Sequence, residues 1–335
     1  MRQFSSKILL GILCFLFLLV YLIYDLSVFT QSQDYSFESL LQILNSQSFQ
    51  MRLSRLFTVF VSGSLLALGG YLVQLIFRNT LIDAQILGIS GGASLSLLIS
   101  VLFFNSLDLI LEDSLLSYKL ISVLGSFITC FIILLIQRTL PRRSLSLLPL
   151  VGLCLNIFYS SLIFILIFFY QDYSTQITYH MIGDVRYYSL KSSSLFLIAN
   201  VVLCLFLIKK SYYLKATSLG MDFSKTLGFH YKNEVMKYIV IICLMVSLSV
   251  ILTGPISFLG IFIPHFVRLV KRNLKTKKEL FLNYLTGGLF LLCVDFVSRN
   301  IAPPLNIPIG AITAIIGAPI FVLIVVKERR YDFDS

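Results

Sequence analysis

Ten apolar runs divide this chain, at approximately residues 8–24, 56–77, 86–104, 118–137, 145–170, 193–208, 236–253, 256–270, 280–297 and 308–326. A helix crosses the hydrocarbon core of a bilayer with about 20 apolar residues, somewhat fewer or more with tilt. The pattern predicts an all-α integral membrane protein of ten spans in one domain, residues 1–335. The third and eighth runs are the weakest, being Gly-rich or short. Composition agrees, since only 13% of residues are charged, where a soluble surface needs roughly a quarter. The N-terminal MRQFSSK resembles a signal peptide. The apolar run behind it lacks a small-residue cleavage site, so it is expected to be retained as the first span.

Orientation follows from lysine and arginine. With the N-terminus inside, outer loops hold Arg52, Arg55, Lys119, Arg186, Lys191 and Arg299, six of the 27 basic residues, and 21 lie inside. Cytoplasmic loops carry such an excess, so both termini are expected to be cytoplasmic. The formal charge of +11 is then a product of topology, and no nucleic-acid partner is expected. Three outer segments stand out: 25–50 with Asp25, Asp34 and Glu38, 105–117 with Asp108, Glu112 and Asp113, and the Tyr-rich 171–192. On the inner side a long cationic loop at about 209–235 carries two Leu-Gly pairs, Leu219-Gly220 and Leu227-Gly228, that punctuate helix-length pieces.

Little here can do chemistry. His180, His230 and His265 are scattered, and all six cysteines fall inside apolar runs without a zinc-type spacing. No metal site and no cofactor on this chain are expected. HExxH, GxSxG and GxxxxGK[ST] are absent, so the chain cannot hydrolyse ATP alone. Asp295 is the one acid placed well inside a span, where burial is costly unless it is paired. Arg299, at i+4 on the same helical face, is its expected partner. A proton-coupling acid, as in an ion-driven secondary transporter, is the alternative reading. Gly63, Gly69, Gly70, Gly287 and Gly288 suit close helix packing, and the cluster Gly254, Pro255, Gly260 and Pro264 suggests a bent, short span near a pathway.

Four blocks resemble the permease family of ATP-driven (ABC) importers for iron–siderophore complexes, haem and cobalamin. They are RLSRLFTVFVSGSLLALGGYLVQLIFRNTLIDAQILGISGGAS (52–94), SLGMDFSKTLGFHY (218–231), GPISFLGIFIPHFVR (254–268) and VDFVSRNIAPPLNIPIGAITAIIGAPIF (294–321). They follow the family's order over most of the chain, and the last two are the most specific. The resemblance implies a type II importer permease that pairs with an identical or sister permease. Two ATPase subunits carrying ATP and Mg²⁺ would sit below, and an extracytoplasmic binding protein would dock above, in a bacterial cytoplasmic membrane. Arg52, Arg55 and Arg299 correspond to outward arginines that pair with glutamates of the binding protein. Ser218, Leu219, Gly220, Asp222, Ser224, Leu227 and Gly228 correspond to the coupling helices gripped by the ATPase. Gln74, Asn79, Gly88, Gly91, Gly254, Pro255, Gly260, Pro264, His265, Arg268, Asp295, Pro308, Gly310, Gly317 and Pro319 are expected along the pathway or in the packing beside it. The implied cargo is an iron–siderophore complex, with haem and cobalamin as alternatives. Ser54, Thr80, Ser224, Lys271-Arg272-Asn273 and Asn306 depart from the family pattern.

Overall fold

The computed structural model describes residues 47–106, 115–139, 147–171, 182–183, 185, 189–270, 274–301 and 307–333. The expected first span, most of the outer segment 25–50, His180, Arg186, Lys271-Arg272-Asn273 and Asn306 lie outside the described residues. Among those described, every regular element is helical: α1 Gln47–Phe77, a short 3₁₀ helix Ala84–Leu87, α2 Ile89–Ser106, α3 Leu115–Thr139, α4 Leu148–Phe169 and α5 Leu190–Lys209, then α6 Ser211–Ser218, α7 Met221–Thr226, α8 Tyr231–Thr253, α9 Leu259–Val270, α10 Thr276–Asn300 and α11 Ile309–Phe333.

Five of these helices, α1, α4, α5, α8 and α10, are long and apolar enough to cross a membrane, and α2, α3, α9 and α11 contain shorter apolar helices. Together they coincide with runs two to ten. Several boundaries differ from expectation by a few residues, and two of them bear on the site. α1 begins at Gln47 rather than near 56, so Arg52 and Arg55 stand on a helix and not in a loop. The third run is broken at Gly88, whose φ of 80° separates the 3₁₀ turn from α2.

α1 is the axis of the bundle, with α5, α8, α9 and α10 packed round it. Its apolar residues serve two cores. Leu65, Leu68 and Leu72 pack with Ile239, Ile242 and Val246 of α8. Leu56, Val59 and Leu66 pack with Ile263 of α9 and Leu291, Leu292 and Val294 of α10. Covered on all sides, α1 needs no polar face. α4 and α5 are also apolar all round but largely uncovered, Phe164 and Leu195 among the exposed side chains, as suits helices bordered by lipid or a partner.

Lipid tails are as apolar as leucine, so helices associate in membranes through close packing rather than exclusion of water. Small residues supply that packing here. Gly63 on α1 lies against the backbone of Gly287 on α10, and Gly70 on α1 against that of Gly260 on α9. A methyl group on Gly70 would overlap the Gly260 backbone, which has no rotamer to escape into. Gly70→Ala is therefore expected to cost about 1–3 kcal/mol, the usual range for overpacking a core. Heating the detergent-solubilised protein and following its size-exclusion peak reads the loss. An unchanged midpoint would contradict this helix crossing.

Candidate functional site

α1 and α10 run antiparallel, and each end of this pair carries a charged assembly. At one end, Arg55 turns inward from α1 and meets Asp295 of α10. Its Nε and Nη2 donate to Asp295 Oδ1 at 3.1 and 2.8 Å. Arg299 approaches the other carboxylate oxygen at 3.3 Å, one turn along the same helix. Asp295 is fully buried and Arg55 is 5% exposed. The two guanidinium groups offset the cost of an intramembrane carboxylate, and the fork geometry of Arg55 suits it to bind one carboxylate through two nitrogens. The expected Asp295–Arg299 pair is present. Arg55 itself does not face outward, because its guanidinium is bonded to Asp295 and covered by protein. Arg52, one turn earlier on α1, and Arg299 are partly exposed. Ser298 donates to the Ile307 carbonyl, tying the end of α10 to the approach of α11.

At the other end, α6 and α7 form a compact hairpin. Gly220 (φ 101°) joins them and Gly228 (φ 79°) releases the chain into α8. Both values are left-handed, where side chains with a Cβ are strained. The Ser224 hydroxyl, buried within the hairpin, donates to the Ala216 carbonyl at 3.0 Å, and Phe229 N–H donates to the Ser224 carbonyl at 2.9 Å. The rings of Tyr213 and Phe229 meet at a tilt of 54° with centroids 4.9 Å apart. Arg78, just past the end of α1, lays its guanidinium against Gly220. Leu219 and Phe223 are about half exposed, at 49% and 46%. With Leu227 they line an apolar groove edged by Lys215, Lys275 and Lys277. Ser218 closes α6 by donating to Lys215 O at 2.8 Å, and Asp222 lies in α7.

Between these ends, the α8–α9 connection stays non-helical from Gly254 to Phe258, and Phe258 holds a φ of 69°. Such a conformation in a bulky residue costs on the order of 1–3 kcal/mol and persists only when its surroundings impose it. Three side chains from the stretch after the middle of α1 do so. Gln74 donates to Gly260 O at 3.2 Å, Gln85 donates to Ile256 O at 2.5 Å, and the backbone N–H groups of Ala84, Gln85 and Phe258 converge on the Asp83 carboxyl. Arg268 steadies Gln74 in turn, its Nη2 donating to Oε1 at 2.5 Å. Nothing in the sequence reading singled out Asp83. An acid lying between Leu81 and Gly88, inside an apolar stretch, was the available signal.

The other expected pathway positions divide. Gly91 and Pro255 line a cleft beside Asp83, and Gly260 packs on both Gly70 and Asp83. Gly88 meets the backbone of Gly152, Gly317 meets Phe258, and Gly310 meets Ile182 and Pro255. Asn79 caps the turn after α1 by accepting from Leu81 N–H at 2.9 Å. Pro264 and Pro319 sit inside α9 and α11, Pro308 precedes α11, and His265 is half-buried on α9.

The sequence pattern of the FecCD transport family matches residues 10–327. The chain is 32% identical over 331 residues to the vitamin B12 import system permease protein BtuC of Vibrio cholerae, which covers 98% of this chain and 95% of that protein. It is 28% identical over 322 residues to the petrobactin import system permease protein YclN of Bacillus subtilis, covering 95% and 98%. Among solved structures, a chain described as "an inward-facing conformation of a putative metal-chelate type ABC transporter" superposes with a TM-score of 0.80 at 26% identity, covering 96% of this chain and 99% of that one.

Proposed function

The chain belongs to the FecCD transport family and is an ABC importer permease, and from that premise we propose that it moves an iron–siderophore complex inward across a bacterial cytoplasmic membrane. The match to a metal-chelate type transporter over nearly the whole of both chains carries this reading. Cobalamin is the second reading, favoured by the 32% identity to BtuC.

ATP hydrolysis falls to separate ATPase subunits, and an extracytoplasmic protein delivers the cargo. In the proposed assembly a second permease completes the pathway, and both termini of this chain are cytoplasmic. The α6–α7 hairpin is the lever. Its leucine and phenylalanine side chains supply an apolar contact for the ATPase, and the surrounding lysines favour an acidic rim on that partner. Closure of the ATPases on ATP displaces the hairpin as a rigid piece. Arg78 and the contacts to α8 pass the displacement to the axis helix, and spans beside the pathway tilt. At the opposite end Arg52 and Arg299 offer charge to the binding protein, while Arg55 holds α1 to α10.

Reconstitution with the ATPase and binding protein in proteoliposomes tests the reading. Ferric siderophore is expected to accumulate only with ATP, and cobalamin is not. Accumulation that persists without the ATPase would assign the chain to ion-driven carriers. Selective uptake of cobalamin would replace the cargo.

A further inference from the structure

A cleft of about 460 Å³ opens between α2, α4 and the α8–α9 break. Its lining mixes serine, asparagine, glutamine and aspartate side chains with the apolar Ile86, Pro255, Phe258 and Ile261. Ser90 and Ser94 are one turn apart on α2, and Asn156 and Ser160 are one turn apart on α4. Asp83, buried, and Ser257, exposed, complete the polar part of the lining. The i, i+4 spacing sets each helical pair on a single face, so the two pairs line the same cleft. Asn156 is held in place by donating to Gln85 O at 2.9 Å.

Two buried polar atoms here have no hydrogen-bond partner among the described residues, Asp83 Oδ1 and Ser94 Oγ. Asp83 is 5% exposed and Ser94 2%. Buried polar groups are almost always paired, and intramembrane acids mark pathways for polar substrates or ions. The backbone points the same way. Non-helical segments at membrane depth are tolerated only where protein buries them or where they line an aqueous cavity. The 3₁₀ turn and the 254–258 break both border this cleft.

Resting on the permease reading above, we propose that this cleft is a waypoint for the cargo, and that Asp83 makes it a waypoint for neutral or cationic hydrogen-bonding cargo rather than anionic cargo. Serine hydroxyls and the Asn156 amide can exchange hydrogen bonds with a polar chelate without gripping it through charge. When ionised, the Asp83 carboxylate is one negative charge, no cation lines the cleft among the described residues, and it repels an anionic ligand in the low-dielectric surroundings that strengthen such repulsion.

The test places a thiol in the cleft mouth with Ser160→Cys and compares two methanethiosulfonates, one bearing an ammonium and one a sulfonate. In each case the thiolate attacks the sulfenyl sulfur, a mixed disulfide forms and methanesulfinate leaves. Rates are divided by those of free cysteine and read by mass spectrometry on the purified complex. The native Cys154, exposed on α4 outside the cleft lining, serves as the internal reference. The cationic reagent is expected to be favoured about tenfold at residue 160 over its preference at Cys154, and Asp83→Asn to abolish that excess. Equal preference at the two cysteines overturns the charge assignment, whether or not Asp83→Asn assembles. After full modification of the Ser160→Cys complex, ATP-driven uptake of ferric siderophore is expected to fall at least fivefold from its own unmodified level, with ATP hydrolysis continuing. Unchanged uptake overturns the waypoint. Absence of ATP-driven uptake before modification would instead defeat the permease reading, and the labelling ratio would still report the cleft's charge.

Discussion

Asp295→Ala is expected to lower the thermal midpoint and the yield of folded protein more than any other single change at this end of the bundle. The substitution leaves the Arg55 guanidinium buried against α10 with its carboxylate partner gone, and Arg299 loses the same partner. Removing one member of a buried ion pair typically costs about 3–5 kcal/mol, against a total stability of about 5–15 kcal/mol for folded domains. The asymmetry is informative. Replacing both members by apolar residues of similar volume, as in Arg55→Met with Asp295→Leu, spares the uncompensated charge and is expected to recover most of the folded fraction. Size-exclusion profiles after a heating series rank the three proteins. Arg52→Ala, at a partly exposed position on the same helix, is expected to leave the midpoint within about 0.5 kcal/mol of wild type. If Asp295→Ala behaved like Arg52→Ala, the pair would be a surface feature and Arg55 would return to the docking face.

Gly220→Leu is expected to leave ATP hydrolysis running while uptake falls by more than about tenfold. Two physical effects combine there. A φ of 101° strains any residue with a Cβ by about 1–3 kcal/mol, and that Cβ would run into the Arg78 guanidinium. The hairpin would have to turn away from α1, so a push on it would no longer reach the axis helix. Gly228 separates the two effects. It shares the positive φ of 79° but has no atom within 4 Å of where a Cβ would stand. Gly228→Ala should therefore show strain alone and a milder loss of uptake. The ratio of cargo moved to ATP hydrolysed in proteoliposomes is the measurement. A wild-type ratio in Gly220→Leu would remove the hairpin from the drive train.

How far local reasoning carried varies with the kind of contact. The i+4 pairing of Asp295 with Arg299 could be read directly, because helical geometry links neighbours in sequence. Its third member could not, since Arg55 is 240 residues away and no periodicity states which face of α1 meets α10. Charge counting set Arg55 outside with Arg52, yet Arg55 lies three residues, about 4.5 Å, further along the helix, deep enough to be covered while Arg52 stays partly exposed. Asp83 was passed over for a related reason. Its importance rests on the backbone of Phe258 and on the cleft it shares with Ser94, supplied by segments that meet only after the bundle has packed.

The amino-acid sequence by itself determined the apolar runs from the second to the tenth and the glycine-punctuated hairpin. Each of these depends on hydropathy, motif or backbone freedom within a few residues. Tertiary structure alone decided that Arg55 is a strut, that Gly70 and Gly260 let α1 touch α9, and that the broken α8–α9 turn faces a polar cleft. In a bilayer nearly every helix face is apolar, so hydrophobicity cannot assign partners. Shape and the few buried polar groups do, and their fit exists only once the helices are side by side.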